Sequence, residues 1–308
     1  MTTTDIRGVT HAPGLQVWGP LVALWLIWGS TYLGIAVVGR SLPPLTANGL
    51  RFAVAALLLG GILAVTRGAR VFAITAAQLR STAIMGVMLL GVGIGTVSLA
   101  ERYLPSGVAA LLVSVMPLWV IIFRFRAGEH PSGLTLLGVT IGMSGLVLML
   151  LPGGTHPVAG GDGDVVRWSL AIMGSSFCWA YFSWRSARFE LPANTLVTTT
   201  LEMAFAAIAL IVVGLLSGER IQVAQADPSS WWALAYLVLA SIGGYTAYTW
   251  LLGNAPLSLV STYAYVNPVV AVLLGSLILR EPITTDVLLG LTVVVGGVML
   301  VATGERRR

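Results

Sequence analysis

Lysine is absent from this chain of 308 residues, cysteine occurs once and histidine three times. Charge of either sign is scarce. Charged residues make up 9% of the sequence against 56% hydrophobic, where a soluble domain carries about 25% charged. Seventeen basic and twelve acidic residues are too few to cover a water-soluble protein of this length. The mean hydropathy of +0.89 spreads the apolar excess along the whole chain. The class is therefore an integral membrane protein, which excludes soluble-enzyme, nucleic-acid-binding and secreted-scaffold readings. The lone cysteine, Cys178 beside Trp179, rules out an intrachain disulfide and a cysteine-based metal cluster. His11, His130 and His156 fall in the tail or in loops, so a membrane-embedded enzyme lacks the convergent polar groups it needs. No P-loop is present, so ATP drive is not intrinsic. Neither a cofactor nor a metal is implied.

The net charge of +5 would suggest an anionic partner in a soluble protein. Here the arginines sit in short loops and set orientation. The use of arginine alone reflects coding bias rather than chemistry.

A helix crossing the hydrocarbon core needs roughly 20 apolar residues. Such stretches fall at 17–37, 46–65, 82–100, 105–125, 132–151, 168–188, 194–216, 231–252, 256–279 and 285–303, giving an expectation of ten spans. The first apolar run exceeds a signal-peptide core and lacks a cleavage site, so it is expected to remain as a span. Connections are short. The longest, Pro152 to Arg167, is Gly-rich and reads as a linker at the midpoint. With the N-terminus cytoplasmic, eleven arginines lie inside and five outside, leaving Arg51 within a span. Both termini are thus expected in the cytoplasm.

The halves repeat. An offset of 151 carries Trp28 to Trp179, Pro105 to Pro256 and Pro117 to Pro268. An offset of 152 carries Glu129 to Glu281, Gly138 to Gly290 and Gly145 to Gly297. Seven landmarks in order, counting the polar break after Trp28, argue for an internal duplication of five spans each, 17–151 and 168–303. Five is odd, so the copy inserts upside down. The expected fold is all-α, with ten transmembrane helices as two inverted repeats around a central cavity, an architecture that suits a carrier.

The run Trp25-Leu26-Ile27-Trp28-Gly29-Ser30-Thr31-Tyr32, then Pro43-Pro44 and Leu50-Arg51-Phe52, resembles the opening of EamA-type proteins of the drug/metabolite transporter superfamily. Tyr103-Leu104-Pro105 with Pro117 and Glu129, and Ala255-Pro256 with Pro268 and Glu281-Pro282, are similar to that family's fourth and ninth helices. The resemblance covers essentially the whole chain. It implies a ten-helix basket whose cavity is lined by helices 1, 3, 4, 6, 8 and 9, and export or exchange of small metabolites, often amino acids.

Candidate site residues follow from polar groups set inside spans. Arg51 can attract a substrate carboxylate, and the opposing reading, which the balance favours, is a stem that snorkels to the interface. Glu202, its equivalent at offset 151, is a candidate proton carrier, because removal from water favours a neutral carboxyl; the opposing reading is an interfacial glutamate. Glu101, next to Arg102, is the other candidate proton carrier, and the reading favoured there is a surface ion pair. Small multidrug-resistance relatives couple protons through a glutamate in the first helix, and the first span here has none. Tyr245 and Tyr248 share a face with Ser241, Tyr263 with Asn267, and Trp28 with Tyr32, with Trp179 on span six. These seven aromatic and amide residues are the expected cavity lining, against the alternative of interfacial belts.

At offset 151, Ser241, Tyr245 and Tyr248 correspond to Leu90, Ile94 and Val97, and Tyr263 and Asn267 to Leu112 and Met116. One wall is therefore polar-aromatic and the other aliphatic, which suits an amphipathic solute such as a neutral or aromatic amino acid better than a phosphate. Pro117 and Pro268 each remove a backbone hydrogen bond, freeing carbonyls at Val113 and Ala264, and are candidate hinges. Gly86, Gly91, Gly93 and Gly95 are expected to allow close helix packing. The leading expectation is a secondary transporter exporting a small amphipathic metabolite across a bacterial inner membrane. The partners are then its solute and lipid, without nucleic acid, and the chain is a monomer. The alternatives are a drug or toxic-compound efflux carrier and a non-transporting membrane scaffold.

Overall fold

A computed structural model describes residues 14–104, 109, 112–150, 161–279 and 285–306. Pro105, Glu281, Pro282 and most of the expected linker lie outside the described residues, as do Arg7, His11, His156 and Arg280.

Among the described residues every regular element is helical. In chain order they are α1 (Gly14–Val38), α2 (Pro44–Arg67), α3 (Ala76–Met85), a π-helical segment (Gly86–Ile94), α4 (Gly95–Ala100), α5 (Met116–Arg126), α6 (Gly133–Leu150), α7 (Asp162–Arg185), α8 (Thr195–Leu216), α9 (Pro228–Asn254), α10 (Leu257–Val260), α11 (Tyr263–Leu279) and α12 (Thr285–Arg306). Short 3-10 turns join some of them. Gln16–Val38, Pro44–Arg67, Ala76–Ala100 and Thr195–Leu216 are each long and apolar enough to cross a bilayer. Leu57, Ile208, Leu216 and Leu239 are exposed, as lipid-facing side chains must be in a helix with no water to avoid.

Several boundaries differ from those read in the sequence, each for a local reason. The third helix starts at 76 rather than 82. Thr75 Oγ1 accepts from Gln78 N at 3.1 Å and Gln78 Oε1 accepts from Thr75 N at 3.0 Å, a capping box that carries the helix through a polar turn. Asp162 and Asp164 belong to α7 rather than to the linker. The Asp164 carboxylate accepts from Gly161 N at 3.3 Å, and an acid there also suits the positive end of the helix. The stretch expected as one span at 256–279 is broken between α10 and α11. Ser261 Oγ and Thr262 Oγ1 donate to the carbonyls of Ser258 and Leu259, at 2.9 and 2.7 Å, which supplies partners where the helix ladder stops.

Pro117 sits in the first turn of α5, after a turn at 114–115. That position tolerates proline without a kink, so Pro117 does not bend a continuous helix as the hinge expectation required. Pro268 does lie inside its helix. The carbonyl it frees, on Ala264, accepts the Ser114 hydroxyl at 2.7 Å.

Contacts between the two halves recur in reciprocal form. A Cβ on Gly138 would lie 2.7 Å from Gly297 O, and one on Gly145 would lie 2.8 Å from Gly290 O. Gly290 and Gly297 are the positions that correspond to Gly138 and Gly145. Likewise Gly49 packs on Ile211 and Gly60 on Thr200, and 151 positions separate Gly49 from Thr200 and Gly60 from Ile211. At α2 the first turn has no cap of its own. Glu219, just past α8, accepts from Leu45 N at 3.2 Å and Thr46 N at 2.7 Å, tying the halves together at that end.

Candidate functional site

A central cavity holds about 650 Å³ of space between atoms, counting its mouth. It is lined by Trp28, Thr31, Tyr32 and Ile35 from α1, Arg51 from α2, Gly93, Ile94 and Val97 from the π-helical segment and α4, and Val113 and Met116. The second half contributes Ser175, Ser176 and Trp179 from α7, Tyr245 from α9, and Tyr263 and Asn267 from α11. Six of the seven aromatic and amide candidates are therefore brought to one cavity. The seventh, Tyr248, lies beneath it.

Packing explains the aromatic floor. Trp28 is the hub: its ring centroid lies 5.2 Å from Tyr245, 5.0 Å from Tyr248, 4.8 Å from Tyr263 and 5.7 Å from Trp179. Gly244 and Gly93 make room for the two indoles. A Cβ on Gly244 would fall 2.7 Å from Trp28 Cδ1, and one on Gly93 would fall 2.8 Å from Trp179 Cζ3. Trp179 Nε1 donates to the Tyr248 hydroxyl at 2.7 Å, and that hydroxyl also pairs with Ser183. From this floor the lining runs to Ile35 and Val97, toward the end of the bundle where α1 turns into α2. At the opposite end the rings of Trp28, Trp179 and Tyr248 pack on one another, with Ser183 bonded to the Tyr248 hydroxyl.

Arg51 is 1% exposed and does not reach an interface. Its Nε donates to Ser241 Oγ at 2.6 Å, its Nη1 donates to Asn48 Oδ1 at 3.2 Å, and its guanidinium lies 4.9 Å from the Phe52 ring. A buried cation is held here by neutral dipoles. Glu202, 3% exposed, does not line the cavity. It accepts from Thr249 Oγ1 at 3.4 Å, and its backbone packs against Gly86. Glu101 forms no surface ion pair with Arg102: both its carboxylate oxygens are buried without a hydrogen-bond partner.

Sequence reasoning missed Thr31, Ser175 and Ser176. Thr31 is one turn from Trp28, and Ser175 and Ser176 are one turn before Trp179, so extending those two faces by a turn finds all three. Of the residues expected on the two walls, Tyr245, Tyr263 and Asn267 line the cavity together with Ile94, Val97 and Met116, whereas Ser241, Tyr248, Leu90 and Leu112 do not. Trp28 Nε1, Ser176 Oγ and Asn267 Oδ1 are buried with no hydrogen-bond partner. A lining that is mostly apolar and carries a few unfilled polar atoms can orient one polar end of a small molecule and desolvate the rest. Among the described residues no group of histidine, cysteine and acidic side chains could hold a metal ion.

Comparison with known proteins gives one family. The sequence model of the EamA-like transporter family matches residues 18–151 and 166–303. The uncharacterized inner membrane transporter YedA of Escherichia coli (strain K12) is 35% identical over 294 residues, spanning 94% of this chain and 92% of that protein. The uncharacterized transporter YoaV of Bacillus subtilis (strain 168) is 25% identical over 283 residues, spanning 91% and 94%. A solved crystal structure with 20% identity superposes with a TM-score of 0.76 over 95% of this chain and 98% of its own, a likeness of fold.

Proposed function

Because the chain belongs to the EamA-like transporter family, we propose that it is a secondary transporter that moves a small amphipathic metabolite across a bacterial inner membrane by alternating access. The observation that carries this reading is the central cavity, whose mostly apolar lining leaves polar atoms of Trp28, Ser176 and Asn267 without partners. Neutral or aromatic amino acids fit such a lining: the aromatic floor and aliphatic wall take the side chain, and Arg51 with the unfilled polar atoms takes the polar end.

In this reading ten spans form two inverted halves. The reciprocal contacts of Gly138 with Gly297 and Gly145 with Gly290 support it, since a two-fold axis in the membrane plane relates corresponding positions in that way. With both termini cytoplasmic, the cavity opens to the outer side and the Trp28–Trp179–Tyr248 floor is the inner seal. Export is the assigned direction, the working unit is one chain, and Pro268 is the position where α11 bends. Glu202, away from the cavity, serves the contact between α8 and the π-helical segment.

The test is uptake of a labelled amino-acid panel by proteoliposomes holding the purified protein. Uptake of a neutral or aromatic member, lost in Asn267→Ala and Tyr245→Ala, is the expected result. No uptake of any member overturns the amino-acid reading and turns the same assay to larger amphipathic drugs, the efflux alternative.

A further inference from the structure

Among the described residues, Arg51 is a cation in the wall of the cavity with no anion to answer it. Its Nε and Nη1 are engaged by Ser241 and Asn48, and no described residue accepts from Nη2. The two partners are themselves held. Ser241 Oγ donates to Leu237 O at 2.7 Å, and Asn48 Nδ2 donates to Pro44 O and Ser98 Oγ, both at 2.9 Å. The guanidinium is therefore fixed before any solute arrives, and a fixed donor loses less freedom on binding than a loose one. Ser241 lies one turn of α9 before Tyr245, and α9 starts where Ser230 bonds Ser41, just past α1. Arg51 thus stands beside the aromatic floor, on the side where α1 turns into α2.

The charge of the lining is one-sided. None of the described lining residues is acidic, Glu101 and Glu202 included among those that stay outside it. Glu129 pairs with Arg124 at 3.0 Å, and Glu219 accepts from Thr46 N at 2.7 Å. The sequence from 105 to 111 carries no charge. A carboxylate entering the cavity supplies the missing anion and gains a charge-assisted bond where the dielectric is low. An ammonium finds no such partner. The faces of Trp28, Tyr245 and Tyr263 attract a cation weakly, but Arg51 repels it across the same apolar-walled space. Asn267 Oδ1, a buried acceptor without a donor, can take a neutral N–H or O–H but cannot neutralise a charge. A phosphate asks for more basic groups than a single guanidinium.

We propose that Arg51 makes the cavity selective for amphipathic monocarboxylates and that an amino group on the solute is dispensable. The carboxylate accepts from Nη2, and the apolar body rests on Trp28, Tyr245 and Tyr263. Amino acids are admitted through their carboxylate, and aromatic or branched acids that carry no amine are admitted equally. Amphipathic amines, cationic drugs among them, are rejected by charge. The proposal rests on the carrier reading for movement across the membrane, but not for binding.

The experiment titrates purified wild type, Arg51→Gln and Arg51→Lys in a calorimeter with probes that share a phenyl ring: 3-phenylpropionate, phenylalanine, 2-phenylethylamine and 3-phenylpropanamide. In wild type, 3-phenylpropionate and phenylalanine are expected to bind with similar affinity. The amine and the amide are expected to bind about 10- to 100-fold more weakly, the loss of a charged hydrogen bond. Arg51→Gln brings the carboxylate and the amide level, and Arg51→Lys keeps the preference in weakened form. Wild type alone decides the matter if the variants do not fold. Amine or amide binding as tight as that of 3-phenylpropionate overturns the proposal, as does failure of 3-phenylpropionate to bind. Phenylalanine binding more than about tenfold tighter than 3-phenylpropionate makes the amine necessary and overturns it too. So does unchanged selectivity in folded Arg51→Gln. Uptake of the same labelled probes by proteoliposomes separates the two readings. If 3-phenylpropionate binds and nothing is moved, the proposal stands and the carrier reading fails; if an amino acid is moved and 3-phenylpropionate does not bind, the proposal fails alone.

Discussion

The indole of Trp28 is seated on Gly244, in the other half of the chain, and its counterpart repeats the arrangement. Trp179, 151 positions after Trp28, is seated on Gly93, 151 positions before Gly244. Each half thus supplies an indole to the floor of the cavity and a bare stretch of backbone to receive the other's. Gly93→Ala and Gly244→Ala are therefore expected to destabilise the protein. Overpacking costs about 1–3 kcal/mol and outweighs the roughly 1 kcal/mol that alanine gains over glycine in a helix. Thermal unfolding followed by size-exclusion chromatography reads the difference, and a melting temperature at or above wild type for both variants would refute the seating.

Ser114 and Pro268 form a second relationship with a sharp test. The Ser114 hydroxyl serves the Ala264 carbonyl that Pro268 cannot, having no N–H of its own. Ser114→Ala is expected to cost about 1–3 kcal/mol, the penalty for a buried acceptor left unmade. In a Pro268→Ala background the new N–H reaches the same carbonyl, so the serine loss is expected to cost less. A double-mutant cycle that comes out additive would contradict this.

Arg51 binds Ser241 and Asn48 through two different nitrogens. Lysine has one nitrogen and no planar fork, so Arg51→Lys is expected to lose about 1–3 kcal/mol of stability despite keeping the charge. Ser241→Ala alone is expected to cost about 1 kcal/mol, and to add little once Arg51 is replaced by lysine. Full additivity of the two changes would separate the arginine from the serine.

Tyr248 holds the floor from below, accepting from Trp179 and pairing with Ser183. Tyr248→Phe keeps the ring contacts and strips the hydroxyl. Stability is expected to fall by about 1–3 kcal/mol through the stranded Trp179 indole N–H, since Ser183 keeps its bond to the Trp179 carbonyl, with solute affinity in the uptake assay changed less than in Asn267→Ala. A larger affinity loss in Tyr248→Phe would place that hydroxyl in the cavity rather than beneath it.

Most of the helices and most of the cavity were legible from hydropathy and from polar residues set deep in apolar stretches. Tyr245, Tyr263 and Asn267 were readable because a tyrosine or an asparagine so far from a span end needs a reason to be there. Ser175 and Ser176 were not, since small hydroxyl residues after Gly174 look the same whether they pack or line. The state of Arg51 was also out of reach. Its length allows it to snorkel or to be buried, and the choice rests on Asn48 and Ser241, the latter 190 positions away. Helix breaks at 114–115 and 261–262 were hidden because Ser and Thr can mend a freed carbonyl inside an apolar run without changing its hydropathy. Glu101 was misread for a similar reason: a glutamate beside an arginine at a helix end reads as a pair, and only the fold shows them apart.

The exchanged seats of Trp28 and Trp179 also bear on how the two halves can diverge. A change at either glycine is felt by an indole in the other half, so the two copies cannot drift independently at those places. The cavity walls carry no such bond of mutual fit: Ile94 and Tyr245 are equivalent by offset, touch different neighbours and have become different residues. Symmetry is thereby kept in the parts that must fit each other, and chemical individuality is left to the walls of the cavity.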